Sequence, residues 1–166
     1  MEGNLKITSF NCAGFKYRNF SYLKDIFNKC DILILQETWL YNFEFSEFIN
    51  VLPGCQYHAI SSMNETDVGR AGRPFGGNAI LWHSNLALTF TPINTISNRI
   101  CSVQVKSNNF NFVIINVYMP CDDNSDSNVC MYGDVLSEIS SIVSLYEDEN
   151  EIIIGGDLNV DFSRSE

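Results

Sequence analysis

Three short stretches constrain this chain more than any other feature: Ser9-Phe10-Asn11, Leu35-Gln36-Glu37-Thr38 and Gly155-Gly156-Asp157-Leu158-Asn159. Each sets a small polar group at the end of an apolar, strand-like run, where a rigid sheet holds the side chain yet leaves it facing an opening. Together they offer one carboxylate, a second carboxylate with an amide two residues on, and another amide. That is the oxygen-rich set needed for magnesium-assisted hydrolysis of a phosphoester.

The rest of the chain reads as strands and helices around these points. Residues 5–10 form a strand pattern, and 17–28 a helix with Phe20, Leu23 and Phe27 at helical spacing. Residues 31–35 are almost continuously apolar, as in a strand buried on both faces. A short aromatic helix is expected over 43–51, ahead of Pro53-Gly54, then a short strand over 57–60. Residues 61–77, with Gly69, Gly72, Gly76 and Gly77, read as a surface loop. Four strands follow over 78–83, 87–91, 100–106 and 110–118, the last two joined by Ser107-Asn108-Asn109. Val129, Tyr132, Leu136, Ile139, Val143 and Tyr146 step by three and four along a second amphipathic helix. Residues 152–154 make a last strand running into a Gly-Gly-Asp turn. The class is therefore α/β with a mixed sheet, with no internal repeat and no linker.

Composition limits the function. At 166 residues, 45% hydrophobic and 13% aromatic, the chain can bury a sizeable core as one domain. No apolar run approaches the roughly 20 residues of a membrane span. Met1-Glu2-Gly3-Asn4-Leu5-Lys6 is no secretory leader, so an intracellular, plausibly nuclear, location is expected and the sequons at Asn19 and Asn64 carry no weight. A net charge of −10 argues against binding nucleic acid mainly by counterion release. It leaves room for a nucleic-acid substrate whose phosphates are met through cations. The six cysteines lack a Cys-x-x-Cys pair or zinc-like His spacing and are expected to be reduced and mostly buried.

The motifs lead to a family. Ile7-Thr8-Ser9-Phe10-Asn11, Ile34-Leu35-Gln36-Glu37-Thr38-Trp39, Gly76-Gly77-Asn78-Ala79-Ile80-Leu81, Asn116-Val117-Tyr118-Met119-Pro120 and Gly155-Gly156-Asp157-Leu158-Asn159 resemble, in order and spacing, the endonuclease/exonuclease/phosphatase superfamily. That group includes apurinic endonucleases, pancreatic-type deoxyribonuclease and inositol-phosphate phosphatases. Gly72-Arg73-Pro74, with the Gln-Glu-Thr-Trp and Gly-Gly-Asp-Leu-Asn wording, looks most like the endonuclease domain of non-LTR retrotransposons. The resemblance spans the whole chain. It implies a deoxyribonuclease-like four-layer α/β sandwich with two mixed β-sheets.

It also implies roles. Glu37, helped by Asn11, would hold Mg²⁺ or Mn²⁺. Asp157 would orient or deprotonate the attacking water, Asn159 would fix that water or the phosphate, and Tyr118 would donate to the developing charge. Asn116 is a further candidate for substrate contact. The substrate would be DNA, the product a nick with a 3′-hydroxyl, and a reverse-transcriptase domain is expected in the same full-length polypeptide. Hydrolysis of inositol phosphates or lipids by the same chemistry is the alternative, as is an inactive remnant. His58 and His83 match no motif and read as structural or solvated. Asp122, Asp123 and Asp126 fit no calcium loop and read as solvated.

Two features depart from the superfamily pattern. Its domain normally continues to a Ser-Asp-His motif, for which 1–166 has no counterpart, and Cys121 stands where these nucleases often carry Asn. The expectation is a single incomplete domain, its C-terminal part missing, with strand edges and apolar faces uncovered and catalysis impaired.

Overall fold

The sequence Ile32-Leu33-Ile34-Leu35-Gln36 has no polar alternation, and all five residues are buried, so the strand they form, β2 (Ile32–Gln36), is covered on both faces. β1 (Ile7–Asn11) runs parallel to it and β4 (Asn78–His83) antiparallel, with β3 (Cys55–Ile60) beyond β4. A second four-stranded sheet has the order β5 (Thr89–Ile93), β6 (Ile100–Lys106), β7 (Asn111–Tyr118), β8 (Glu151–Asp157). Its pairs are antiparallel until the last, in which β7 and β8 run parallel. The computed structural model from which this architecture is read describes residues 4–64, 74–121 and 125–160.

The period-2 alternation of each strand sorts its residues into layers. Leu33 and Leu35 of β2 face α1 (Phe20–Phe27) and α2 (Glu47–Val51), where Leu23, Phe27 and Phe48 close a first core. Ile32 and Ile34 turn the other way and meet Val103, Val105, Phe112 and Ile114 between the two sheets. Val113, Ile115 and Val117 of β7 lie under Val135, Ile139 and Ile142 of α3 (Asp126–Tyr146). The order helix, sheet, sheet, helix is the four-layer α/β sandwich expected from the motifs, with both sheets mixed.

Where element bounds differ from the sequence reading, local chemistry explains it. The helix expected over 17–28 starts with a 3₁₀ turn at Tyr17–Asn19 before α1. The one expected over 43–51 is broken: the Tyr41–Glu44 capping box closes a 3₁₀ turn at Asn42–Glu44, and only Glu47–Val51 is α-helical. α3 begins at Asp126 because the Ser125 hydroxyl accepts from Asn128 N at 3.3 Å. β5 lies two residues later than expected and contains Pro92, tolerated because β5 is an edge strand. Gly155-Gly156 is no turn, since β8 continues through both glycines to Asp157.

All six cysteines are free; Cys12, Cys30, Cys55 and Cys101 are buried, Cys121 and Cys130 exposed. Burial pushes the Cys12 and Cys55 thiols up to about 12. β8 is the rim of its sheet among the described residues, with the apolar Ile154 48% exposed. No helix among the described residues is long and apolar enough to cross a membrane. Glu65, Thr66, Gly69, Gly72, Arg73, Asp122 and Asp123 lie outside the described residues.

Candidate active site

Both parallel pairs end at the same side of the sandwich. Asn11 of β1 sits beside Gln36 of β2, and Tyr118 of β7 beside Asp157 of β8. The carboxyl ends of parallel strands are where open α/β sheets place ligands, because chain reversal leaves side chains there free of the ladder. Across the interface β8 comes close to β2: a Cβ at Gly155 would stand 2.9 Å from Ile34 Cδ1. At Gly156, with φ +132°, a Cβ would overlap the Val117 carbonyl oxygen. The glycine pair is therefore what lets the second sheet carry Asp157 up against the first.

Glu37 leaves β2 on a left-handed backbone, φ 54°, and Trp39 follows with φ 57°. Such conformations cost about 1–2 kcal/mol each without glycine, so neighbours must hold them. They do so from both sides. Gly14 N donates to Glu37 O at 2.7 Å and Phe15 N to Thr38 O at 2.8 Å, while Thr38 N donates to Gly77 O at 3.1 Å and Trp39 N to Gly76 O at 3.0 Å.

The side chains then converge. Asn11 Nδ2 donates to Glu37 Oε1 at 2.9 Å and to Asp157 Oδ2 at 2.8 Å, so one amide bridges carboxylates from the two sheets. Its own Oδ1 accepts from Ala13 N at 3.1 Å. Trp39 Nε1 donates to Glu37 Oε2 at 3.1 Å. Asp157 Oδ1 accepts from Asn159 N at 3.1 Å, and Asn159 Nδ2 donates to Met119 O at 2.7 Å, which fixes the left-handed Asn159, φ 48°. Tyr118 is pushed up to about 12 by burial and by the negative Glu37 carboxylate to which it donates, with Arg99 opposing. The Arg99 guanidinium lies 5.5 Å from the Tyr118 ring centroid, and its Nη1 donates to Tyr118 O at 3.2 Å.

Two carboxylates within reach of one amide repel each other, and the bridging N–H groups offset only part of that charge. Their hard oxygens suit a divalent cation of the magnesium type, which takes one or two carboxylates and keeps water or substrate oxygens for the rest. Among the described residues no group of three or more His, Cys, Asp or Glu gathers to form an all-protein cage. Glu37 and Asp157 thus fit such an ion, while Asn11 presents its donor end, not its carbonyl oxygen, to them.

Asn11, Glu37, Tyr118, Asp157 and Asn159 are brought together. Asn116 is not at the opening: it is fully buried between the sheets, donating to Leu35 O at 2.8 Å and Ala79 O at 3.0 Å and accepting from Gln36 Nε2 at 2.7 Å. Its amide is spent tying the sheets together, so the expected substrate contact gives way to a structural one. His83 stacks on Phe27 with its Nε2 near Phe27 O and Cys30 O, and burial lowers the His58 pKa. The sequence reading gave no role to Trp39 or Arg99. Trp39 follows directly on Gln36-Glu37-Thr38, which is a local signal; Arg99 has none.

The sequence pattern of the endonuclease/exonuclease/phosphatase family matches residues 8–166. No curated protein sequence matches the chain. Solved structures with the same fold include a 3′ phosphatase from Neisseria bound to a product DNA hairpin, with TM-score 0.63 and 15% identity over 95% of this chain and 58% of that one. An AP endonuclease from Archaeoglobus fulgidus has TM-score 0.62 and 22% identity over 95% of this chain and 58% of its own. The endonuclease domain of TRAS1, a telomere-specific non-LTR retrotransposon, has TM-score 0.63 and 14% identity over 96% and 62%. The chain thus spans about three fifths of the length of these similar structures.

Proposed function

The chain belongs to the endonuclease/exonuclease/phosphatase family, and on that premise we propose that it is the first part of a metal-dependent endonuclease domain that nicks DNA for a retrotransposon-type protein. The observation that carries the reading is the Asn11 amide joining Glu37 of one sheet to Asp157 of the other. It fixes two carboxylates side by side with no lysine or arginine bonded to either in the hydrogen bonds described, an arrangement that gains from a cation. A structural role alone would not need two acids there.

Mg²⁺ or Mn²⁺ bound there would polarise a phosphate oxygen. Glu37 would hold that ion. Asp157, its Oδ1 steadied by Asn159 N and its Oδ2 by Asn11, orients the attacking water and takes its proton. Asn159 keeps its carbonyl oxygen for that water, its Nδ2 being bonded to Met119 O. Tyr118, with its proton held up to about 12, donates to the charge that develops on the phosphate. A reverse-transcriptase domain in the same polypeptide and a nuclear site of action belong to this reading.

The test is nicking of supercoiled plasmid by a protein extended through the downstream reading frame, with Mg²⁺ or Mn²⁺. Chelator-sensitive conversion to the open circle is expected. Release of phosphate from an inositol polyphosphate without nicking would favour the phosphatase alternative instead, and neither activity would favour a remnant.

A further inference from the structure

Trp39 is 7% exposed, and its indole N–H meets Glu37 Oε2 at 3.1 Å while Asn11 holds Oε1. The ring is wedged in place. A Cβ at Gly14 would come within 2.6 Å of its Cε3, and Lys16 Nζ lies 4.3 Å from the ring centroid on a cation–π contact. Left-handed backbone at both Glu37 and Trp39 brings side chains two residues apart into this hydrogen bond just beyond the end of β2. That strain is maintained by four backbone bonds to two flanking loops, more than a simple chain reversal needs.

We propose that Trp39 is a positioning residue for the cation site, its N–H fixing the plane of the Glu37 carboxylate. The proposal rests on the reading of Glu37 as the metal ligand. A glutamate has three side-chain torsions, and one standing past a strand end has no ladder neighbour to restrict them; Asn11 on one oxygen and Trp39 on the other, with Tyr118 as a further donor, leave it a single orientation. The indole suits this task because it donates only and carries no charge that would compete with the metal. Its bulk, packed against Gly14 and Lys16, supplies the rigidity that a Ser or Asn donor would lack.

The test uses the protein extended through the downstream reading frame and Mn²⁺ alone, read by titration calorimetry. Placing 3-benzothienylalanine at position 39 keeps the bicyclic shape and removes only the N–H; Trp39→Phe is the second variant. Each should weaken Mn²⁺ binding about tenfold, the usual effect of losing a partner behind a metal ligand, with the thermal midpoint of the benzothienyl protein unchanged. Glu37→Gln should weaken it further, and adding the position-39 change to Glu37→Gln should cost nothing more. Unchanged affinity in the benzothienyl protein beside a loss in Glu37→Gln would overturn the role of Trp39 and leave the cation site standing. Additive losses would overturn it too, since Trp39 would then act independently of Glu37. Unchanged Mn²⁺ binding in Glu37→Gln, or none in the wild type, would overturn the cation reading itself and the proposal with it.

Discussion

β2 and β8 each lead into a carboxylate of the site, but β2 is buried at every residue between β1 and β4, whereas β8 lies on the rim of its sheet with Glu151 and Ile154 exposed. Glu37 is accordingly fixed by its surroundings: a strained backbone clasped by two loops and side-chain donors on both oxygens. Asp157 depends on reach. It is held where it is by the close approach of Gly155 to Ile34 and by donors from Asn11 and Asn159. The difference teaches that one acid is anchored at the end of a strand buried throughout and the other is delivered to it by a less protected strand, which matches the proposed pairing of an anchored ligand with a base.

The largest expected effect separates the two acids by chemistry. In the extended protein, Asp157→Asn should lose roughly 10² or more in nicking rate, as for removal of a positioned general base, and saturating metal should not restore it. Glu37→Gln should raise the Mg²⁺ concentration needed as well as lower the rate. Metal titrations of both variants decide the matter: rescue of Asp157→Asn by metal would erase the distinction between anchor and base.

A smaller effect should separate the two strands by stability. Ile34→Ala opens a cavity between the sheets and should cost about 3 kcal/mol, whereas Ile154→Ala, at 48% exposure, should cost less than about 1 kcal/mol. Urea denaturation followed by circular dichroism measures both. Equal costs would mean that β8 is covered in solution and the contrast is lost.

The smallest effect is spectroscopic. Tyr118 holds its proton up to about 12, above the ordinary 10, so the folded state binds that proton more tightly than the unfolded one. The stability it contributes is complete below pH 10 and is lost as pH rises from 10 towards 12. Absorbance titration should find a late phenolate that is missing in Tyr118→Phe. If the variant keeps the late step, burial and the Glu37 carboxylate do not hold the Tyr118 proton as described.

Much of the fold was legible because it rests on uninterrupted apolar runs. The strands over 78–83 and 100–106 fall where the sequence put them, since Ile80, Leu81 and Trp82 fill the middle of the first and Ile100, Val103 and Val105 recur through the second. Gly155-Gly156 misled, because a glycine pair reads as a turn unless one knows that Ile34 and Val117 press on it from neighbouring strands. Asn116 misled for a related reason: alternation puts it on the same face as Tyr118, but alternation carries no information on depth, and two residues further into β7 the face is sealed between sheets. Pro92 shifted β5 because the cost of a missing N–H depends on whether a strand lies on an edge.

By itself the sequence determined which side chains stand at strand ends, since the period of each apolar run and the polar residue that stops it are local properties of the chain. It determined the layers in the same way, each strand carrying its two faces with it. Only the tertiary structure decided which of those ends meet. Asn11 and Asp157 are 146 residues apart, and their 2.8 Å contact exists because two sheets pack face to face with their parallel pairs ending on the same side. Trp39 became a partner of Glu37 in the same manner, through backbone torsions that two loops distant in sequence impose. Local pattern sets the direction of a side chain along its own strand; packing between strands far apart in the chain sets the distance to its neighbours, and the chemistry of this site depends on that distance.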